Sequence, residues 1–229
     1  MTHVSLSEGL ATTRSIRRYT DDPVTNKQLA NVLFLASRAP SGSNRQPFRF
    51  VVLRHGPHAI RVRELLAQGA SEVWAEKLGK GEFPVRERSS PTARMAASMD
   101  HYVATFADAP VVVLPCMIRY RDPHVSEGAS VYPAVQNLLL GARANGLGGA
   151  LTMFHRLRDE EIRSELGLPE GAFIAATITI GVPAGNHGPV RRRPLAQLVY
   201  EDSWGGEAPW AVDPEGTRFT GGPRVEPQR

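Results

Sequence analysis

Only one cysteine, Cys116, occurs in the 229 residues, so an intrachain disulfide is impossible and a metal site built of thiolates is excluded. A reducing, cytoplasmic setting is the expectation. Long apolar runs are missing as well, and the first residues carry no basic segment followed by an apolar core, so the chain reads as soluble with no membrane partner. Charge is sparse and nearly balanced, 27 basic against 23 acidic residues. The basic residues cluster toward both ends of the chain instead of along one periodic face, which favours an anionic small molecule over a nucleic acid. No Gly-x-Ser-x-Gly elbow marks a hydrolase. His55 and His58 are separated by the turn-forming Gly56-Pro57 with no third ligand close in sequence, so no metal site is expected.

What is present is enough for one large α/β domain with a sizeable core over residues 1–204, followed by a tail over 205–229 rich in Gly, Pro and charge. Such a tail cannot form a core of its own; it is either disordered or an arm lying on a partner subunit. Thr25 followed by Gln28 makes a capping box ahead of Leu29, Val32, Leu33 and Ala36 on one helical face. Phe48 to Leu53 reads as a buried strand, and Ala59, Val62, Leu65 and Leu66 mark a second amphipathic helix. From Gly69 to Asp100 the apolar signal thins, broken by Gly79, Gly81, Pro84 and Pro91. This stretch is an excursion of helix and loop or a mobile lid. Val111 to Leu114 is a central strand, and Ser130 caps a helix from Val131 to Asn145 that is buried nearly all round and closed by Gly146. A short helix over Asp159–Leu166 and a strong strand over Phe173–Ile180 complete the pattern.

The loop Pro40-Ser41-Gly42-Ser43-Asn44-Arg45-Gln46-Pro47-Phe48 carries the strongest functional signal. Its prolines fix both ends, Gly42 permits a left-handed turn, and Ser41, Ser43, Asn44 and Gln46 supply donors and acceptors for a flat polar heterocycle or a phosphate. Upstream lies Arg14-Ser15-Ile16-Arg17-Arg18-Tyr19, and downstream Arg191-Arg192-Arg193-Pro194-Leu195. The three segments, in this order over about residues 10 to 202, resemble the nitroreductase family. That family combines an Arg-Ser-x-Arg-x-aromatic segment, a Pro-Ser-rich loop ending in Gln-Pro-aromatic, and a basic residue two places before a late Pro-Leu.

The resemblance implies an α+β fold with helices around a mostly antiparallel central sheet, assembled as an intertwined homodimer with FMN at the subunit interface. It places Arg14, Ser15, Arg17 and Arg192 around the flavin phosphate, where the forked guanidinium suits a dianion. It places Pro40, Ser41, Ser43, Asn44 and Gln46 on flavin held mainly by the other subunit. After the Gly146-Leu147-Gly148-Gly149 turn, which follows a helix and so is no Rossmann fingerprint, it sets Leu151, Thr152 and Met153 against the isoalloxazine ring. The second cation that the family often carries falls here at Val190, with Arg191 and Arg193 as alternatives. NAD(P)H would reduce the flavin and give way to a nitroaromatic or quinone acceptor, in ping-pong fashion, with no side chain acting as a nucleophile. Reductive dehalogenation, flavin fragmentation in cobalamin-ligand synthesis, and FMN binding without turnover are the alternatives on the same fold. Trp74, Phe83 and Phe106 would reach the substrate side if their segment closes over it.

Overall fold

The protein is described by a computed structural model covering residues 4–83 and 90–215. Its elements in chain order are α1 (Leu6–Thr12), α2 (Asn26–Ala36), β1 (Phe48–Leu53), α3 (Pro57–Gly79), α4 (Pro91–Ala104), β2 (Val111–Ile118), α5 (Tyr132–Ala144), β3 (Gly148–Thr152), α6 (Asp159–Glu165), β4 (Ala172–Ile174) and β5 (Thr177–Gly181). The strands form one antiparallel sheet in the order β1-β2-β5-β3, with β4 also on β2. The fold is α+β, as the resemblance implies. Among the described residues no helix is long and apolar enough to cross a membrane.

Strand alternation decides the layering. On β2, Val112, Leu114 and Cys116 join the cluster built with Leu65, Leu66, Tyr102 and Phe106, while Val111 and Val113 join the cluster of Val32, Val135, Leu138 and Ile178. Side chains of a strand point alternately to its two faces. The sheet is therefore covered by α3, α4 and α6 on one side and by α2 and α5 on the other.

The capping box forms as expected: Gln28 N–H donates to Thr25 Oγ1, and the Gln28 side chain accepts from Thr25 N–H. Gly146, at φ +75°, closes α5. The Ser130 cap does not form. Ser130 Oγ instead accepts from the N–H of Gly42, 3.3 Å away, and α5 starts after a 3-10 turn over Glu127–Ser130 without a side-chain cap.

One expectation about extent is corrected. The Phe173–Ile180 strand is split: Cys116 pairs with Ile174, but Val113 pairs with Ile178, so the β4–β5 side holds one more residue than β2 does. The bulge lies opposite Pro115, which has no N–H to offer the ladder; its carbonyl accepts from Ala175 N–H at 2.8 Å. In the stretch after Gly69, α3 runs on to Gly79 and α4 occupies residues 91–104. Gly69 serves close packing: a β-carbon there would stand 2.3 Å from the Phe154 carbonyl oxygen. Trp74 is buried and donates to Asp100 Oδ1 at 2.7 Å, tying α3 to α4. Pro84 in the proposed lid falls outside the described residues, as does the tail beyond residue 215. The first part of that tail packs on its own chain, with Ala211 buried and Asp213 accepting from Leu195 N–H.

Candidate functional site

The segment from Ser15 to Thr20 is laced across one edge of the sheet. Ile16 N–H donates to Gly149 O at 2.9 Å, Thr20 N–H to Val182 O, and Ala184 N–H to Arg18 O. So close an approach requires bare backbone beneath it. A β-carbon on Gly148 would meet the Ile16 side chain at 2.6 Å, and one on Gly181 the Tyr19 ring at 2.6 Å. This is what the Gly-Leu-Gly-Gly run does here.

Burial of Ile16 anchors the segment, and alternation carries Ser15 and Arg17 to the opposite face. Beneath them the Tyr102 hydroxyl lies 2.8 Å from Thr179 Oγ1, which lies 2.7 Å from the Tyr19 hydroxyl, which donates to Ile16 O at 2.7 Å. Burial pushes the Tyr102 phenol up to about 12 and Tyr19 higher still, so both stay protonated at neutral pH. The four oxygens form a directed chain of donors that ends on the backbone carrying Arg17.

Arg17 lines a cavity of about 670 Å³ with Leu151, Thr152 and Met153 at the end of β3, Arg156 and Leu157 beyond it, and Val73, Lys77 and Met99 from α3 and α4. Its guanidinium is half-buried. Burial lowers its pKa, with nearby Tyr102 and Tyr19 working in the opposite sense. No hydrogen-bond acceptor meets it among the described residues. Thr152 Oγ1 donates to Thr177 O, and His155 Nδ1 sits 3.0 Å from Thr177 Oγ1, so Thr177 fixes the chain on both sides of Met153. Burial keeps His155 neutral by lowering its pKa. Arg17 also borders a second hollow of about 560 Å³ that carries Asp21, Asp22, Arg54 and His101. Like the first cavity it has charges of both signs, but it lacks the β3 backbone.

Arg14 is exposed and lies beside the late segment: a β-carbon on Gly188 would be 3.9 Å from its Nη1. Val190 N–H donates to Ala11 O at 3.0 Å, so residues 188–190 run alongside residues 11–14. Arg192 is exposed, and its Nη1 donates to the Arg191 carbonyl. Between the two segments His187 Nε2 meets Leu147 O at 3.3 Å, and burial followed by repulsion from Arg143 and Arg14 holds its pKa down. Nothing in the sequence pattern singled out His187, Tyr102, Thr179 or Arg156, whose roles rest on contacts between distant segments.

The loop over residues 40–48 stands apart from this cavity in the single chain. It is held by bonds within itself and by its neighbours: Gln46 N–H donates to Ser41 Oγ at 2.9 Å, Gln46 Nε2 donates to Asn44 Oδ1 at 3.1 Å, and the Arg45 guanidinium lies 4.5 Å from the centre of the Tyr120 ring. The left-handed turn expected at Gly42 falls instead on Ser43, Asn44 and Gln46, at φ near +50°. Three such residues in one loop store backbone strain, a pattern that clusters at ligand clamps. The aromatic expectations separate: Phe106 is fully buried between Tyr102 and Phe154 and cannot reach a substrate, while Trp74 and Phe83 stack on each other with ring centres 5.0 Å apart. His58 is engaged by Glu165 at 2.7 Å. Among the described residues no group of three metal-ligating side chains comes together.

The family model for the nitroreductase family matches residues 10–182, which contain the Arg17 segment, the 40–48 loop and all five strands. The chain belongs to the nitroreductase family. It is 31% identical over 200 residues to an NADH dehydrogenase of Thermus thermophilus, covering 81% of this chain and 90% of that protein. A Desulfovibrio desulfuricans protein assigned as a nitroreductase and solved in complex with FMN superposes with a TM-score of 0.64 at 28% identity, over 88% of this chain and 99% of that one. A tyrosine-to-phenylalanine mutant of the FMN- and NADPH-dependent nitroreductase NfnB from Sphigopyxis sp. strain HMH gives a TM-score of 0.67 at 25% identity, over 87% and 99%.

Proposed function

We propose that the protein is an FMN-dependent oxidoreductase that takes electrons from NAD(P)H and delivers them to a small oxidised acceptor such as a nitroaromatic or quinone. The observation that carries this reading is the half-buried Arg17 guanidinium, without an acceptor among the described residues, beside the free end of β3. A cation withdrawn from water calls for an electron-rich partner, and the pyrimidine edge or phosphate of a flavin supplies one. The cavity volume falls in the usual range for cofactor sites. The FMN relatives support the same reading.

When bound, the flavin supplies the hydride chemistry. The chain's own residues position and tune it. Leu151 and Met153 are partly exposed toward the cavity and offer a surface for stacking, while Thr177 holds the intervening backbone. Arg17 would stabilise negative charge that grows on the ring, and Arg14, which lies beside Gly188 of the late segment, would meet the phosphate with it. No side chain is needed as a nucleophile, and nicotinamide and acceptor would use the same face in turn, giving parallel lines in initial-rate plots.

The 40–48 loop completes the site only in a homodimer, by reaching the cavity of a second copy. Exposed Leu6, Leu10, Phe34 and Leu35 on α1 and α2 support such pairing. The test is a visible spectrum of protein incubated with FMN, followed by anaerobic NADPH. Uptake of flavin and bleaching of its absorbance are expected, and Arg17→Ala should weaken FMN binding by about 1.5–3 kcal/mol. Failure to take up FMN at micromolar concentration refutes the proposal, and uptake without bleaching reduces it to flavin binding alone.

A further inference from the structure

The charges on the cavity wall do not all cancel. Lys77 is paired with Glu82 at 3.1 Å, and Glu76 with Lys80 on the next turn of α3. Arg17 is taken up by the flavin in the reading above. Arg156 is left over: it lines the cavity between Met153 and Leu157, and no carboxylate pairs with it among the described residues. Asp159, close by in sequence, is shared with Arg163.

Nor is Arg156 a loosely tethered surface residue. It sits in the 3-10 turn Phe154–Arg158, where its N–H donates to Met153 O at 3.1 Å and both preceding residues, Phe154 and His155, are buried. Its Cα is therefore fixed next to the ring-stacking surface while its side chain is free to reach over it. Apart from its charged residues and Thr152, whose hydroxyl is spent on Thr177 O, that wall is apolar: Val73, Met99, Leu151, Met153, Phe154 and Leu157. A flat apolar body with one anionic group matches this combination, since a forked guanidinium binds carboxylate or phosphate in a fixed geometry.

We propose that Arg156 anchors the anionic group of the molecule that stacks on the flavin, and so selects acidic substrates over neutral ones of the same shape. The inference rests on the flavin reading above. The anion has two possible sources, an acidic group on the acceptor or the extra phosphate that distinguishes NADPH from NADH.

The test uses FMN-loaded protein and its Arg156→Gln variant, comparing kcat/KM for para-nitrobenzoate against para-nitrobenzamide and for NADPH against NADH. The unsubstituted protein is expected to favour the charged member of at least one pair by about tenfold, the scale of one charge-assisted contact. The variant should lose that preference. Loss confined to the nitrobenzoate pair assigns the anion to the acceptor, and loss confined to the coenzyme pair assigns it to NADPH. Flavin content read from the same samples separates the two proposals. A protein that takes no flavin overturns both, whereas a flavin-loaded variant whose two ratios match those of the parent overturns this one alone.

Discussion

Replacing Gly69 by alanine tests whether the rear support of the cavity is as tight as the structure makes it. The new β-carbon would stand 2.3 Å from the Phe154 carbonyl oxygen, against about 3.3 Å for a comfortable carbon–oxygen contact. The obstacle is backbone, so no rotamer change relieves it; α3 and the 154–158 turn must part by about 1 Å. Overpacking of this kind costs about 1–3 kcal/mol, and the better helix propensity of alanine returns about 1 kcal/mol. A net loss of up to about 2 kcal/mol should appear as a lower urea midpoint with unchanged slope. Because Phe154 directly follows the residues proposed to face the ring, FMN affinity should fall by about tenfold, as a displacement of this size misplaces contacts made by the preceding backbone. Gly79→Ala, at the end of the same helix with no atom within 4 Å of the new carbon, is the control and should leave both quantities unchanged or slightly improved. A Gly69→Ala protein that is more stable than the parent and binds FMN equally well would show that helix propensity outweighs the contact and that the support is soft.

Two further substitutions probe the frame. Arg63, only 7% exposed, donates to the carbonyls of Leu53, Ala107, Ala109 and Pro110; Arg63→Met strands the buried pair of these acceptors and should cost about 2–5 kcal/mol in denaturant unfolding, a loss below about 1 kcal/mol arguing that water replaces the guanidinium. Trp74→Phe removes the bond to Asp100 that ties α4 to α3 and should speed amide exchange in α4 and change KM for bulky acceptors with flavin content intact; loss of the flavin would place this segment in the cradle instead of over the substrate.

Much of the frame is visible in local pattern. β1 begins and ends where its run of aromatic and β-branched residues does, and the Thr25 box and Gly146 bound their helices because both devices satisfy backbone groups within a few residues of themselves. The features that escaped notice depend on partners far away in the chain. The second half of α3 buries only a narrow stripe, Gly69, Ala70 and Trp74, and its glycine reads as a break until the Phe154 carbonyl is seen behind it. The interruption between β4 and β5 is caused by a proline on another strand. For the site, the Arg14–Arg17 segment and residues 151–153 were recognisable by their resemblance to a family, and the structure brings Arg17 to those residues. Arg156 had no motif to announce it, since an arginine in a charged stretch is usually a solvated one.

The line of hydroxyls from Tyr102 through Thr179 to Tyr19 joins a helix that walls the cavity to the backbone that holds its half-buried cation. Its two ends belong to segments far apart in sequence, and the strand between them is β5. The two segments consequently share one free-energy balance: ordering of α4 firms the seat of Arg17, and by reciprocity any ligand that settles on Arg17 lends protection to α4. Filling the cavity should therefore also slow amide exchange in α4.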